Sequence, residues 1–312
     1  MTQLKIDFGQ WTEAGGKAVN QDACAARVPA GSELATKGVA IAIADGIGSS
    51  DVSEIASSTA VDSIVTDYYS TSAAWSVKNA LGKVVNATNA WLHSCTNNTW
   101  ARYDKDRGYV CTITTLVLKG RSAHCIHAGD TRAWHLYSGH LEQLTRDHHT
   151  AGTGTAPLLS RALGVNYAIE LDYCVAPFNA GDFFLLTSDG VHEYLSENEL
   201  VSHIESGGRC RDIAHSICQH ALANGSDDNV TAQILRIEEV PSKGSDELTW
   251  ANRALPLPPE LKPDDYLDEF RIVREIHRSD RSSAFLAQHL YSDQYAVIKI
   301  PSSEMMEDPA AM

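Results

Sequence analysis

Four aspartates in this sequence stand at the ends of short apolar segments, and three of them have a glycine neighbour. They are Asp45 in AIAIADG, Asp130 in CIHAGD, Asp189 in FFLLTSDG and Asp228 directly before NVTAQIL. A carboxylate buried at a strand end is costly unless a cation neutralises it, and divalent cations prefer oxygen ligands. Glycine has no Cβ, which leaves room for a backbone carbonyl to approach the same ion. The pattern predicts a divalent-cation site, although each Asp-Gly pair alone is also typical of a turn.

These aspartates need a scaffold of strands and helices to bring them together. Short β-branched apolar segments predict strands at Leu4–Trp11, Val39–Ala44, Val110–Leu118, Ala123–Ala128, Phe183–Thr187 and Val230–Ile237. Apolar residues recur at helical spacing twice within Asp51–Asn98, and again in Glu197–Ile204 and Arg211–Ala223. Ser196 is expected to cap the first helix of the second pair, and Gly225 to end the second helix. Runs of strands between helix pairs favour an α/β fold in layers, with mostly antiparallel sheets.

The composition restricts the function classes. With 25 basic and 40 acidic residues, the net charge of −15 argues against binding to nucleic acid. The seven cysteines form no CxxC pair, so we expect reduced core thiols in a cytoplasmic protein; a redox or zinc site is the less favoured alternative. No apolar stretch approaches the roughly 20 residues that span a bilayer, so we expect no membrane contact in this chain.

Seven short motifs follow one another within residues 1–240. In order, they are NQDA, ADGIG, AGDTR, LTRDH, SRALG, LLTSDGV and DDNVT. In these motifs the chain resembles the protein phosphatase 2C family of metal-dependent serine/threonine phosphatases, in its bacterial form. The resemblance implies a layered α-β-β-α sandwich, in which two mostly antiparallel sheets are flanked by helix pairs. It also implies that residues 1–240 form the catalytic domain, with two metal ions in a cleft at one end.

The resemblance assigns the metal ligands residue by residue. It implies that Asp45 bridges two Mn²⁺ or Mg²⁺ ions and that the carbonyl of Gly46 holds one of them. Asp189 and Asp228 would hold the other ion. Asp130 matches the position that helps to bind a weaker third ion, so the expected cofactors are two or three Mn²⁺ or Mg²⁺ ions.

The resemblance also implies a phosphate-binding residue and a supporting group. Lys17 stands where the family has an arginine that binds the phosphate; lysine keeps the charge but loses the bidentate fork. The residues implied to steady the metal-bound waters and the surrounding loops are Asn20, Gln21, Asp22 and Asn229. We therefore expect the catalytic set to be Asp45, Asp189, Asp228 and Lys17.

The reaction implied is hydrolysis of phosphoserine and phosphothreonine in proteins. Two ions about 4 Å apart lower the pKa of a bridging water and hold the phosphoryl oxygens for direct in-line attack. The chain departs from the family at three positions. Gln21 replaces a glutamate, which predicts weaker metal binding. Ser49 replaces a glycine of the DGxGG motif, and Ile47 stands where some members carry an acid histidine. These departures leave open a pseudophosphatase that binds phosphoproteins or regulates an attached kinase. A metal-dependent nuclease or small-molecule phosphoesterase is a third hypothesis, and the net charge argues against the nuclease.

Two further features lie near the LTRDH motif. His148 and His149 are candidates for the missing acid, although ordinary core or surface histidines are the favoured interpretation. The following segment, HTAGTGTAP at residues 149–157, is short and rich in glycine. It predicts either a small flap beside an open cleft or a flexible surface loop.

The end of the chain has a different character. Residues 241–264 are rich in proline and predict a linker. Residues 265–312 resemble the start of the small lobe of a protein kinase, with Lys299 of AVIK as the nucleotide-binding lysine, but residues 276–283 contain no glycine for a phosphate loop. A β-hairpin appendage is the alternative. We expect a monomer whose natural form is longer. The expected partners are phosphoproteins and an attached kinase domain. Any membrane anchor would lie beyond Met312.

Overall fold

A computed structural model describes residues 3–150, 158–241, 261–279, 282–292 and 294–301. The chain divides into two compact units, residues 1–252 and residues 253–312, which are described separately here. No helix within the described ranges has both the length and the apolar character needed to cross a membrane. Most of the predicted linker and of the predicted flap, residues 242–260 and 151–157, lie outside the described residues.

The first unit contains the predicted strands and helix pairs together with several elements that were not predicted. Its strands are β1 (Lys5–Glu13), β2 (Asp22–Arg27), β3 (Val39–Asp45), β4 (Ile113–Lys119), β5 (Ser122–Ala128), β6 (Arg132–Tyr137), β7 (His140–Gln143), β8 (His149–Thr150), β9 (Leu158–Leu159), β10 (Asp172–Pro177), β11 (Phe183–Thr187) and β12 (Val230–Glu239). Its helices are α1 (Gly31–Lys37), α2 (Ser53–Ser70), α3 (Val77–Asn97), α4 (Asp189–His192), α5 (Glu197–Glu205) and α6 (Cys210–Ala223), with 3-10 turns at Trp100–Tyr103 and Lys105–Arg107.

Two five-stranded sheets form the centre of this unit. Their strand orders are β1-β12-β11-β6-β7 and β10-β5-β4-β3-β2, and their ladders are antiparallel. Ile41, Leu116 and Phe184 belong to the core between the sheets. Helices α2 and α3 cover the outer face of the second sheet, and α5 and α6 cover the first. The predicted α/β fold, two antiparallel sheets flanked by helix pairs, is confirmed.

Strand β3 shows why its sequence carries an unbroken apolar run. Val39, Ile41 and Ile43 point into the core between the sheets. The intervening alanines, Ala40, Ala42 and Ala44, belong to the core under α2 and α3. Both faces are covered, so neither face alternates with polar residues. The small alanine side chains let α2 pack closely over the strand that ends at Asp45.

The predicted helix ends are also found. Ser196 and Glu199 form a capping box at the start of α5, in which the Ser196 amide donates to Glu199 Oε2 at 2.8 Å. Helix α6 ends at Ala223, and Gly225 follows with φ of +95°, a conformation that glycine adopts readily. Lys37, buried at the end of α1, donates to the carbonyl of Tyr68 in the last turn of α2 at 3.2 Å, alongside the amide and hydroxyl of the C-cap residue Thr71.

One predicted strand began too early. Instead of starting at Val110, β4 starts at Ile113. Cys111 forms isolated bridges to Gly46 and Leu163, because this stretch of chain pairs with the loop after β3. Strand β2 was not predicted, since DACAAR lacks the β-branched residues that indicate a strand, and its pairing with β3 holds it in the sheet.

The second unit is a small antiparallel sheet. Its strands are β13 (Tyr266–Leu267), β14 (Phe270–Arg278), β15 (Ser282–His289) and β16 (Tyr295–Pro301), in sequential order. Leu261, Ile272, Phe285 and Ala287 form its core. Lys299 lies on β16 and is exposed. The predicted small β-rich piece at the end of the chain is confirmed.

Candidate metal centre

Asp45 and Asp22 lie at the ends of two neighbouring strands of the second sheet. Asp45 is the last residue of β3, and Asp22, the first residue of β2, is its direct partner in the antiparallel ladder. Directly opposed residues project from the same face of a sheet, so the two carboxylates are neighbours. Thr231 Oγ1 donates to Asp22 Oδ2 at 2.6 Å, which ties β2 to β12 of the other sheet. Sequence reasoning treated Asp22 as a supporting residue; its position places it within the acidic group.

Asp189 and Asp228 are contributed by the first sheet. Asp189 follows β11 as the first residue of α4, and Asp228 lies two residues before β12, the neighbour of β11. A Cβ on Gly190 would lie 2.1 Å from the carbonyl oxygen of Asn229. The glycine of the SDG motif is therefore needed so that the two loops can approach each other. Gly46 has a similar role, because a Cβ there would lie 2.8 Å from Ser53 and 2.9 Å from the Gln21 carbonyl.

Asp130 lies in the turn after β5, held by the LTRDH segment. The Gly129 amide donates to His148 Nδ1 at 3.1 Å, and the His148 amide donates to the Gly129 carbonyl at 2.8 Å. Arg132 forms a bidentate ion pair with Asp147, with a shortest distance of 2.6 Å. The motifs AGDTR and LTRDH thus act as one structural unit around Asp130.

Burial and mutual repulsion dominate the electrostatics of these aspartates. Burial, followed by the charges of the other aspartates, raises the pKa of Asp45 well above its usual value. For the same reasons the pKa of Asp189 rises to about 7. Burial raises the pKa of Asp22 to about 6 and also raises that of Asp130. Such a cluster is unfavourable as it stands, because the carboxylates repel one another in a poorly solvated place.

Lys17 contributes a positive charge beside this cluster. Its Nζ lies 3.1 Å from Asp228 Oδ2, and this hydrogen bond raises the pKa of Lys17. Both side chains are partly exposed, at 44% and 41% of their surface, so the pair is open to solvent. The predicted phosphate-binding residue therefore lies beside a predicted metal ligand.

The donor atoms suit a hard divalent cation. Asp130 Oδ1 and Asp22 Oδ1 are buried and have no hydrogen-bond partner in the structure, so each has an unmet need for a positive partner. Oxygen donors of this kind are those that Mn²⁺ and Mg²⁺ prefer. Among the described residues, no three His, Cys, Asp or Glu side chains already form a closed ligand set. Asp189 Oδ1 instead accepts from the Gly190 amide at 2.7 Å, and Asp228 Oδ1 from the Asn229 amide at 2.8 Å.

The predicted supporting residues connect the loops around the aspartates. Asn229 Oδ1 accepts from the Gln21 amide at 2.8 Å, and Asn229 Nδ2 donates to the carbonyls of Ala14 and Val19. Gln21 Nε2 donates to the Ser50 carbonyl at 2.7 Å. Asn20 Oδ1 accepts from the Asp22 amide at 3.2 Å. These side chains hold the segments that carry Asp22, Asp45 and Asp228 at fixed distances.

The two candidate acid histidines differ in their surroundings. His148 is buried, and both of its ring nitrogens are engaged, Nδ1 by the Gly129 amide and Nε2 by Asp172 Oδ2 at 3.1 Å. It is therefore a positioning residue for the Asp130 turn. His149 is partly exposed, with Nε2 3.9 Å from Asp130 Oδ2. Sequence reasoning missed Asp172, which lies outside the seven motifs, and it gave Thr231 of the DDNVT motif no role of its own.

Comparison with known proteins decides the family. The protein phosphatase 2C family profile matches residues 13–224. This chain belongs to the protein phosphatase 2C family. As a member of that family it is a protein-serine/threonine phosphatase, as the sequence predicted.

Individual relatives of this phosphatase 2C chain are bacterial. The serine/threonine phosphatase stp of Listeria monocytogenes is 26% identical over 225 residues, which cover 66% of this chain and 87% of that protein. The serine/threonine phosphatase PstP/Ppp of Mycobacterium tuberculosis has a similar structure, with a TM-score of 0.63, 23% identity and coverage of 75% and 99%. A structure of the PstP catalytic domain in complex with 2 manganese ions gives a TM-score of 0.63 at 24% identity, with coverage of 76% and 100%. The two structural likenesses show the fold.

Proposed function

We propose that this phosphatase 2C chain hydrolyses phosphoserine and phosphothreonine in proteins with the help of two or three Mn²⁺ or Mg²⁺ ions. Asp45, the carbonyl of Gly46, Asp189 and Asp228 would hold two ions, and Asp130 would serve an additional one. The observation that carries the proposal is the partly buried acidic cluster, in which burial and neighbouring charges raise the pKa of Asp45 and Asp189. Divalent cations would remove this repulsion and keep the carboxylates ionised.

Asp22 belongs in the same proposal. Its buried Oδ1 lacks a hydrogen-bond partner, while its Oδ2 is held by Thr231. The free oxygen is therefore fixed in place by the bond made at the other oxygen. We place Asp22 with the residues that hold the metal centre, in addition to its role in joining β2 to β12.

The ions, when bound, supply Lewis-acid polarisation of the phosphoryl group and activation of a water. Lys17 would bind a phosphate oxygen, since its ammonium group is partly exposed and close to Asp228. The pairing with Asp228 holds Lys17 at the edge of the acidic cluster, where the phosphate must enter. Water attacks phosphorus in line and directly, so that no residue of the chain becomes phosphorylated.

The regulatory alternative, a pseudophosphatase, is not favoured by the comparisons. The relatives found are named as phosphatases, and the stp relative matches this chain across most of its own length. The departures at Gln21 and Ser49 have structural roles, because Gln21 bonds the Ser50 carbonyl and Ser49 Oγ bonds the Asp106 carbonyl at 2.6 Å. They do not remove any of the aspartates.

The test is turnover of a phosphothreonine peptide with added Mn²⁺. We expect activity that EDTA abolishes and that Asp189→Asn lowers by more than about 100-fold, because it removes a ligand charge. Asp62→Asn, a matched change at an exposed position of α2, should leave turnover unaltered. Turnover that is indifferent to EDTA, or equal in the Asp189 and Asp62 variants, contradicts the proposal.

We further propose the division into a phosphatase domain at 1–240, a linker at 241–264 and the start of a kinase-like lobe at 265–312. The antiparallel strands β14, β15 and β16, with Lys299 on the last, support the third part. An attached kinase domain is a proposed partner on the same ground. Binding of a fluorescent ATP analogue to the 312-residue chain, and its loss in Lys299→Met, would test that part.

A further inference from the structure

Two cysteines far apart in the sequence face each other across a β-ladder. Cys125 on β5 is the direct partner of Cys174 on β10. The Phe178 amide donates to the Arg121 carbonyl at 3.1 Å, so these two residues form a hydrogen-bonded pair. Hydrogen-bonded and non-hydrogen-bonded pairs alternate along an antiparallel ladder, and Cys174 lies an even number of residues from Phe178. Cys174 and Cys125 are therefore a hydrogen-bonded pair as well. Such pairs have Cα atoms about 5.5 Å apart, within the range that disulfides span. Both residues are free thiols in the structure.

The two thiols differ in access and reactivity. Cys125 is buried in the core between the sheets, while Cys174 is half-buried on the edge strand β10. The neighbouring Cys125 lowers the pKa of Cys174, and the neighbouring Cys174, followed by burial, raises the pKa of Cys125. In the reduced protein Cys174 Sγ donates to the Leu144 carbonyl at 3.5 Å. The thiolate is the reactive form of cysteine, so Cys174 is the nucleophile of the pair and Cys125 the resolving thiol.

We propose that Cys125 and Cys174 form a reversible disulfide when the protein meets a peroxide. The Cys174 thiolate attacks the O–O bond of hydrogen peroxide, which yields a sulfenic acid on Cys174 and hydroxide. The Cys125 sulfur then attacks the sulfenic sulfur, the S–S bond forms, and the sulfenic OH leaves with a proton as water. Two thiols lose two electrons in total, and one peroxide becomes two waters.

The position of the pair makes the bond easy to reduce again. Disulfide Cβ atoms lie about 3.8 Å apart, closer than the side chains of a hydrogen-bonded ladder pair, so the link must distort the ladder. Strained disulfides are reduced more readily than relaxed ones. The pair therefore suits a transient oxidation rather than a permanent crosslink.

The distortion would act next to the metal centre. Strand β5 leads directly into the turn that carries Asp130, and β10 carries Asp172, which holds His148. His148 in turn holds the Gly129 amide. Both cysteines thus lie on strands that fix the Asp130 turn. The disulfide itself is independent of the proposed phosphatase chemistry, so its existence is tested without an activity assay.

The experiment is peptide mapping of the reduced 312-residue chain after a brief pulse of hydrogen peroxide and alkylation of the remaining thiols. We expect a Cys125–Cys174 crosslinked peptide as the main product, lost on treatment with dithiothreitol. Cys95→Ser, which removes a partly buried cysteine on α3, is the matched control and should give the same crosslink. Cys174→Ser should give none.

A second variant distinguishes the order of the steps. In Cys125→Ala the resolving thiol is absent, so Cys174 should accumulate as a sulfenic acid that dimedone traps. Either of two results would overturn the proposal: the wild-type chain is oxidised at Cys174 without a crosslink to Cys125, or the crosslink appears only after the chain is unfolded in urea. Mapping of the wild-type chain decides the matter even if a variant fails to fold.

Discussion

Asp22 lies directly opposite Asp45 in the ladder between β2 and β3, so that the buried carboxylate of Asp22 and the partly buried carboxylate of Asp45 share one face of the sheet. Like charges in this arrangement oppose folding. Hydrogen bonds from neighbouring residues keep the two aspartates in place. The Thr231 hydroxyl donates to the Asp22 carboxylate, and the Thr112 hydroxyl accepts from the Asp45 amide at 2.9 Å. The site is thus built at a cost in stability that a divalent cation would offset.

The pH dependence of stability follows from that cost. The pKa of Asp22 is raised to about 6 and that of Asp189 to about 7, whereas carboxyls of an unfolded chain titrate near about 4. Between these values the folded protein binds more protons than the unfolded chain, so the free energy of unfolding falls as pH rises from about 4 to about 7. Urea unfolding of the EDTA-treated protein across this range should show the fall, and added Mn²⁺ should flatten it.

Asp22→Asn should weaken this dependence. The amide cannot ionise, yet its oxygen can still accept from Thr231, so the EDTA-treated variant should gain about 1–3 kcal/mol at pH above 7. Asp62→Asn on the surface of α2 should show no gain. A variant that is less stable than the parent at every pH would mean that Asp22 is a net stabilising group.

Gln21→Glu separates two effects of one side chain. Gln21 Nε2 donates to the Ser50 carbonyl at 2.7 Å, and a glutamate would place an acceptor there instead. We expect the EDTA-treated variant to lose about 1–3 kcal/mol of stability, because the Ser50 carbonyl loses its donor. Its affinity for Mn²⁺ should rise, since a negative charge is added near the site. Gln3→Glu, which adds the same charge at an exposed position, is the control for calorimetric titration with Mn²⁺; equal affinities in both variants would refute the second effect.

Lys17 should affect substrate binding more than turnover. In Lys17→Ala we expect KM for a phosphopeptide to rise about 10-fold or more, the value of one charge-assisted hydrogen bond. Lys17→Arg should lower KM, because a guanidinium can bind two phosphate oxygens at once. Lys5→Ala, which removes an exposed lysine paired with Glu238, should change neither constant. An effect confined to kcat would argue against a role of Lys17 in binding phosphate.

Two glycines provide a matched pair for stability. A Cβ at Gly190 would lie 2.1 Å from the Asn229 carbonyl oxygen, so Gly190→Ala must push the SDG loop away from the loop of Asp228. We expect a loss of about 3 kcal/mol or more in thermal or urea unfolding, together with weaker Mn²⁺ binding. Gly82 in α3 has open space around its Cβ position, and Gly82→Ala should stabilise the protein by about 0.5–1 kcal/mol. Similar effects of the two changes would show that the loops are not tightly packed.

Much of the architecture follows from local sequence. The VAIAIA run of β3, the capping box at Ser196 and the glycine after α6 act over a few residues, so periodicity and turn chemistry predicted them. The ordered motifs likewise predicted the family. Strand β2 escaped prediction because its pairing with β3, rather than its composition, holds it in place.

What only the tertiary structure decided depends on pairing between distant segments. The sequence placed Asp22 among the supporting residues, and the register of β2 on β3 puts it against Asp45. Seven cysteines without a motif indicated reduced core thiols, and the register of β10 on β5 brings Cys174 to Cys125. Register is set by the burial of whole strand faces and by the turns between strands, which no short motif records. The sequence by itself determined which residues could do the chemistry, and the ladders decided which of them meet.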